Sequence, residues 1–266
     1  METQNGTPFA VITGASSGIG YELANQFARH GFDILVVAED ARLEDAKRRL
    51  SEQNAKVESL RVDLATHDGV ETLNRQIQSS GRFIDAVAIN AGVGVQGAFW
   101  ETSLDAQLNL IALNVTSAVH LTHRILPGMV ARNHGRILYT SSVAATAPGP
   151  FMSSYNASKA FLKSFAEGIR NELKDTNVTV TTLMPGATET DFFRRAGMED
   201  TKLGVSEKDD PADVAREGFE ALMEGKDHIV AGSFKNKVQA TLAHVLPDTL
   251  TAEMHRKQSE PGSAER

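Results

Sequence analysis

Short apolar runs alternate with stretches of helical periodicity along most of the chain. Phe9-Ala10-Val11-Ile12-Thr13 runs into Gly14, and a stripe of Ile19, Leu23 and Phe27 follows at helical spacing, closed by His30-Gly31. Further strands are predicted at Ile34 to Val37, Val57 to Val62, Ile84 to Ile89, Arg136 to Thr140, Val178 to Leu183 and His228 to Ala231. Helices are predicted between them over about Arg42 to Gln53, Leu104 to Val130, Ser154 to Lys174 and Pro211 to Met223. Several strands are continuously apolar. Such strands are buried on both faces, as in a parallel sheet covered by helices. The βαβα order therefore predicts an α/β, doubly wound architecture: a seven-stranded parallel sheet with helices on both faces.

One domain is expected over residues 1–258. The segment from about Phe192 to Asp210 fits neither period, and reads either as a surface loop or as a lid over a substrate pocket, within a substrate loop at about 188–210. The stretch from Phe234 to Lys257 is amphipathic (Val238, Leu242, Val245, Leu246) with a break at Pro247, and could pack on the domain, cover the pocket or join subunits. From Ser259 onward the tail, 259–266, reads as loose.

Composition narrows the chemistry. The 266 residues carry 27 Lys plus Arg against 34 Asp plus Glu, a net charge of −7 that argues against a nucleic-acid partner. The chain has no cysteine, which excludes disulfides and thiolate chemistry and fits a reducing, cytoplasmic setting. No run of about 18 apolar residues predicts a membrane span, and the N-terminus lacks the pattern of a secretion signal. His120 and His123 share a helix but have no carboxylate at ligand spacing, so no metal site is expected.

Gly14-Ala15-Ser16-Ser17-Gly18-Ile19-Gly20 joins the first strand to the first helix. Glycines there let the backbone turn tightly, and the free amides of a helix start attract an anion such as a pyrophosphate. That context predicts dinucleotide binding and a Rossmann fold. Tyr155 and Lys159 lie one helical turn apart. A nearby ammonium favours a phenolate, so the pair is expected to lower the Tyr155 pKa and exchange a proton with an alcohol or ketone oxygen. Ser141 and Ser142 sit at the end of the fifth strand, where ligands bind in open α/β sheets.

With these residues in order, the chain resembles the short-chain dehydrogenase/reductase family in its compact branch, over about residues 9–232. The resemblance rests on the glycine turn, Asp63-Leu64, Asn90-Ala91-Gly92, Asn114, Ser142, Tyr155-x3-Lys159 and Pro185-Gly186-Ala187-Thr188-Glu189-Thr190. It implies Tyr155 as acid/base, Lys159 as its modulator and a ribose contact, Ser142 rather than Ser141 as the residue orienting the substrate oxygen, and Asn114 as the holder of a relay water. It further implies that Gly14, Ser16, Ser17, Gly18, Ile19 and Gly20 hold the cofactor, with Asp63 and Leu64 at the adenine. Asn90, Ala91 and Gly92 would flank the cofactor, and Pro185, Gly186, Thr188 and Thr190 would meet the nicotinamide carboxamide.

The acid expected at the adenosine ribose is Glu39, which would accept from a 2′-hydroxyl and repel a 2′-phosphate. NAD is therefore expected over NADP, the opposing case being that Glu39 faces solvent and Arg42 takes the phosphate. Val93, Val95, Phe99, Trp100, Phe151, Met152, Phe192 and Phe193 supply a candidate apolar wall, which points to a hydrophobic secondary alcohol or ketone as the small-molecule substrate. The alternatives are a reductase of 3-oxoacyl thioesters and a dinucleotide-binding regulator without turnover. A homodimer or homotetramer is expected from the resemblance.

Overall fold

The computed structural model describes residues 6–53, 55–233, 236–238 and 246–265. Seven strands form one sheet in the order β3-β2-β1-β4-β5-β6-β7: β1 (Phe9–Thr13), β2 (Asp33–Ala38), β3 (Val57–Arg61), β4 (Ala86–Ile89), β5 (Gly135–Thr140), β6 (Val178–Pro185) and β7 (His228–Ala231). Every neighbouring pair is parallel. The order reverses between β1 and β4, leaving a crevice beyond their C-terminal ends.

The continuous apolar runs are explained by two cores. Along β2, Leu35 and Val37 face one cluster with Val70, Leu73, Leu121 and Ile125. Ile34 and Val36 face the other, with Leu23, Phe27, Val214 and Phe219. The first cluster packs under α3 (His67–Ser79), α5 (Ser117–Arg132) and α6 (Ser153–Glu172). The second packs under α1 (Gly18–Arg29), α2 (Arg42–Leu50) and α9 (Pro211–Met223). Both faces of the strands are therefore covered, and alternation is absent because neither face meets water.

Four places depart from the sequence reading, the first being α3, which no predicted helix covers. The long helix predicted from Leu104 is α4 (Leu104–Ile111) joined to α5 through a π turn at Ala112–Thr116. The aperiodic segment after β6 folds into two short helices, α7 (Phe192–Ala196) and α8 (Lys202–Val205). The base of that excursion is pinned where Thr188 bridges Asp209 and the Asp209 amide donates to Ala187 O at 2.8 Å. The tail is not loose: Ser259 and Ser263 are buried, Gly262 N donates to Asp200 Oδ2 at 2.8 Å, and Lys202 N donates to Ser263 Oγ at 2.9 Å. Leu242 and Val245 of the amphipathic stretch lie outside the described residues, and its last part forms a helix, Asp248–Ser259. No helix among the described residues is long and apolar enough to cross a membrane.

Candidate active site

A cavity of about 530 Å³ opens at the C-terminal ends of the strands. Gly14 and Gly18 have φ of +68° and +56°, the left-handed region that glycine adopts without strain. A Cβ on Gly14 would come within 2.9 Å of Ala91 Cα, so the turn lies directly against the end of β4. Ser17, at the start of α1, makes no side-chain cap bond, and the first turn holds no acidic residue. The helix start thus offers uncapped amides and a positive dipole end to the cavity, which fits a pyrophosphate.

Each expected cofactor residue lines this cavity: Gly14, Ser16, Ser17, Gly18, Ile19, Gly20, Glu39, Asp63, Leu64, Asn90, Ala91, Gly92, Tyr155, Lys159, Pro185, Gly186, Thr188 and Thr190. Thr13 ties the two strand ends together, its hydroxyl oxygen accepting from Asn90 N at 2.9 Å and Ala91 N at 3.1 Å. At the end of the cavity past β2 the structure adds a residue. Glu39 is exposed at the rim, whereas Asp40 accepts from Ser16 Oγ at 2.8 Å and so reaches the glycine turn itself. Arg42 donates to Asp40 at 3.0 Å, holding its carboxyl down at about 2.

Ser142, Tyr155 and Lys159 meet at the floor. Ser142 Oγ lies beside the Tyr155 phenol, donates to Pro185 O at 3.3 Å and accepts from Ala144 N at 3.1 Å. Lys159 Nζ donates to Thr140 O at 2.8 Å and stands 5.7 Å from the centre of the Tyr155 ring. Ser141 faces away from this group and donates to Lys159 O at 2.7 Å, which anchors α6. Asn114 does not line the cavity. It sits behind it in the π turn, its Nδ2 donating to Val93 O at 2.9 Å and Ser158 Oγ at 3.0 Å, its Oδ1 accepting from Val93 N at 2.9 Å.

The sequence profile of the short chain dehydrogenase family matches residues 8–200. An uncharacterised oxidoreductase from Staphylococcus saprophyticus is 30% identical over 81% of this chain and 91% of its own. A short-chain dehydrogenase of Sphingobium yanoikuyae, solved with NADPH, is 30% identical and superposes with a TM-score of 0.78 over 84% of this chain and 87% of its own. A short-chain dehydrogenase/reductase from Burkholderia phymatum, solved with NAD, is 26% identical with a TM-score of 0.80, covering 98% of this chain and 99% of its own.

The chain belongs to the short-chain dehydrogenase family. It is an oxidoreductase of the kind that works with a nicotinamide dinucleotide.

Within this short-chain dehydrogenase, one electrostatic expectation is reversed. Burial pushes the Tyr155 phenol up to about 12, with the Ser142 hydrogen bond only partly opposing it. Burial also pushes the Lys159 ammonium down to about 8. Desolvation penalises both charged forms, and an ammonium already bonded to a carbonyl does not offset it. The phenol is thus held protonated, as a proton donor.

One side of the cavity is apolar. Met152, Phe193, Ala196 and Met198 form a small cluster with Tyr155, Ala187, Phe192 and Leu203 packed on it. Of the expected wall residues, Val93, Met152, Phe192 and Phe193 line the cavity. Val95 and Phe151 are not among its lining residues: Phe151, with φ of +63°, turns its ring under Arg256 instead. Phe99 and Trp100 are exposed outside it.

The sequence reading missed His255 and Gln258, which the C-terminal helix brings to the cavity. Nothing near them in sequence marks them, because only the fold joins residue 255 to residue 156. It also missed a pairing across helices. His120 does meet a carboxylate, Glu71 on α3, whose Oε1 lies 2.6 Å from His120 Nε2 and, with His67, within possible metal-ligand reach. Arg124 occupies the same oxygen at 2.6 Å, so Glu71 already has a cation. His123 takes no part.

Proposed function

We propose that this short-chain dehydrogenase interconverts hydrophobic secondary alcohols and ketones with NAD. The observation that carries the reading is the Ser142–Tyr155–Lys159 group at the meeting point of the glycine cradle and the apolar cluster. The reduced coenzyme, when bound, supplies a hydride to the carbonyl carbon. Ser142 orients the carbonyl oxygen, and Tyr155 gives it a proton as negative charge develops there. A phenol held protonated suits that direction. Lys159, buried beside it, shares in restoring the proton, and Asn114 fixes the backbone of Val93 against which the substrate rests.

NAD is favoured because two carboxylates, Glu39 and Asp40, line the ribose end, and Arg42 is committed to Asp40 and Asp191. Self-association is expected through α4, where Leu104, Leu108 and Ile111 are exposed at spacings of four and three beside exposed Phe161 of α6. Light scattering at micromolar concentration reads it, and a monomer would contradict it.

The test of the activity is turnover of a ketone and alcohol panel with NAD(H) and NADP(H), in wild type and Tyr155→Phe. Loss of at least 100-fold in kcat in the variant, with coenzyme binding retained, is the expected result. Full activity in Tyr155→Phe would refute the mechanism.

A further inference from the structure

The C-terminal helix is pinned against the substrate side. Ser259, fully buried, directs its hydroxyl to Pro150 O at 2.9 Å and His255 O at 2.8 Å. Its carbonyl accepts from Gln96 Nε2 at 2.9 Å. These bonds hold His255 on the cavity wall beside Asn156 and Met152.

The neighbours of the His255 ring decide its tautomer. Nδ1 lies 2.9 Å from Ser259 Oγ. The one hydrogen on that oxygen is spent on the carbonyls, so the ring nitrogen donates and the proton sits on Nδ1. Nε2 then carries a lone pair. Its polar neighbour is Asn156 Nδ2 at 3.5 Å, and the two hydrogens of that amide go to Ala144 O at 3.0 Å and Ala147 O at 3.1 Å. The one donor beside Nε2 among the described residues is thus that amide, at the long 3.5 Å and shared with two closer carbonyls, which leaves the lone pair weakly held. Burial also lowers the imidazole pKa, keeping the acceptor form at neutral pH.

A weakly held acceptor on a cavity wall is free to take a shorter, better aligned hydrogen bond from a ligand hydroxyl. We propose that His255 is a specificity-determining residue whose Nε2 accepts a hydrogen bond from a hydroxyl remote from the reacting carbon, so the substrate is a hydroxylated ketone or the matching diol. This rests on the alcohol–ketone reading above and narrows it. A carboxylate at the same place would face the lone pair and be repelled, which separates this substrate class from acids. Tyr155, Asn156 and His255 line the same cavity, so a ligand reacting at Tyr155 can also meet the imidazole.

The experiment is steady-state reduction of two matched pairs: 4-hydroxycyclohexanone against cyclohexanone, and 4-(4-hydroxyphenyl)butan-2-one against 4-phenylbutan-2-one. In at least one pair the hydroxylated member is expected to show a KM about 10- to 100-fold lower at similar kcat. His255→Leu should raise KM for that member alone, and His255→Gln, which keeps a carbonyl acceptor, should recover part of the preference. The unhydroxylated ketone reports that each variant is folded. A KM ratio unchanged in His255→Leu, or equal losses of kcat on both members, overturns the proposal. A wild type that reduces ketones without favouring either hydroxylated member overturns it while leaving the reading beneath intact. A wild type inert to every ketone and alcohol tried removes both.

Discussion

Asn114 grips Val93 by both of its backbone polar groups: Oδ1 accepts from Val93 N and Nδ2 donates to Val93 O, each at 2.9 Å. One side chain in a helix thereby fixes the loop that leaves β4. The π turn makes this possible, since the extra residue carries Asn114 inward, where it is buried. A Cβ on Gly92 would lie 3.1 Å from Asn114 Oδ1 and 3.3 Å from Lys159 Nζ, so the same loop closes over the amine.

Asn114→Ala strands the Val93 amide and carbonyl together with the Ser158 hydroxyl. The expected cost is about 2 kcal/mol of stability, from partners left unpaired behind the cavity. The loop then loses its register against Lys159, so kcat should fall by more than the stability loss explains. Urea denaturation read beside turnover of the folded protein separates the two. An Asn114→Ala protein of unchanged stability would show that the double bond to Val93 contributes nothing.

Lys159 leaves a signature in the pH dependence of stability. Its folded value, about 8, lies below the ordinary 10.5. Between those values the unfolded chain binds a proton that the folded protein has released, so stability rises with pH across that window. Below pH 8 both states are protonated, and the burial cost is fully present. Lys159→Met removes this dependence. The stability of wild type relative to the variant should therefore climb by about 3 kcal/mol from pH 8 to pH 10.5. Urea melts at several pH values in that range test it; parallel curves for the two proteins would refute the shift.

The fold was legible because its signals are local. β4 and most of β1 and β2 are uninterrupted apolar runs, and α1 shows its own buried stripe in Leu23 and Phe27, whereas α3 is covered by no predicted helix. The cofactor cradle was legible because strand, glycine turn and helix are contiguous. What escaped was set by distant contacts. The Asp40 carboxylate turns to Ser16, the reach of His255 to Asn156 spans 99 positions, and the tail is docked by Asp200. The Tyr155 pKa was misjudged for a related reason: spacing reveals the ammonium, but desolvation depends on everything packed around it.

Across the mouth of the cavity, Arg42 pairs with Asp191, and Arg195 with Asp40 at 3.2 Å. These pairs tie the connection between β2 and α2 to α7, and three of the four residues line the cavity. They are partly exposed, so each contributes less than about 1 kcal/mol and is screened by salt. The expected consequence is kinetic. Dissociation of NADH, followed by stopped-flow fluorescence, should accelerate several-fold between low and high salt. Asp191→Asn should be fast at low salt and nearly salt-independent, with little change in thermal midpoint. A salt response identical in both proteins would mean that these pairs do not restrain release.

The proposed preference for NAD rests on Glu39. It stands at the cavity rim just past the C-terminal end of β2, and its backbone carbonyl accepts from Arg61 Nε at 2.8 Å. Its side chain is exposed, and no hydrogen bond or ion pair is made by its carboxylate among the described residues. A carboxylate there accepts from a 2′-hydroxyl and repels a 2′-phosphate, whereas a guanidinium binds that phosphate with charge-assisted bonds. Glu39→Arg should shift the ratio of kcat/KM for NADH over NADPH about 10- to 100-fold toward NADPH, with the thermal midpoint unchanged. Wild-type protein should favour NADH. If it favours NADPH, Arg42 must leave Asp191 to take the phosphate, and Asp191→Asn would then strengthen NADPH binding; that pattern would place the specificity in the Arg42 pairs instead of Glu39.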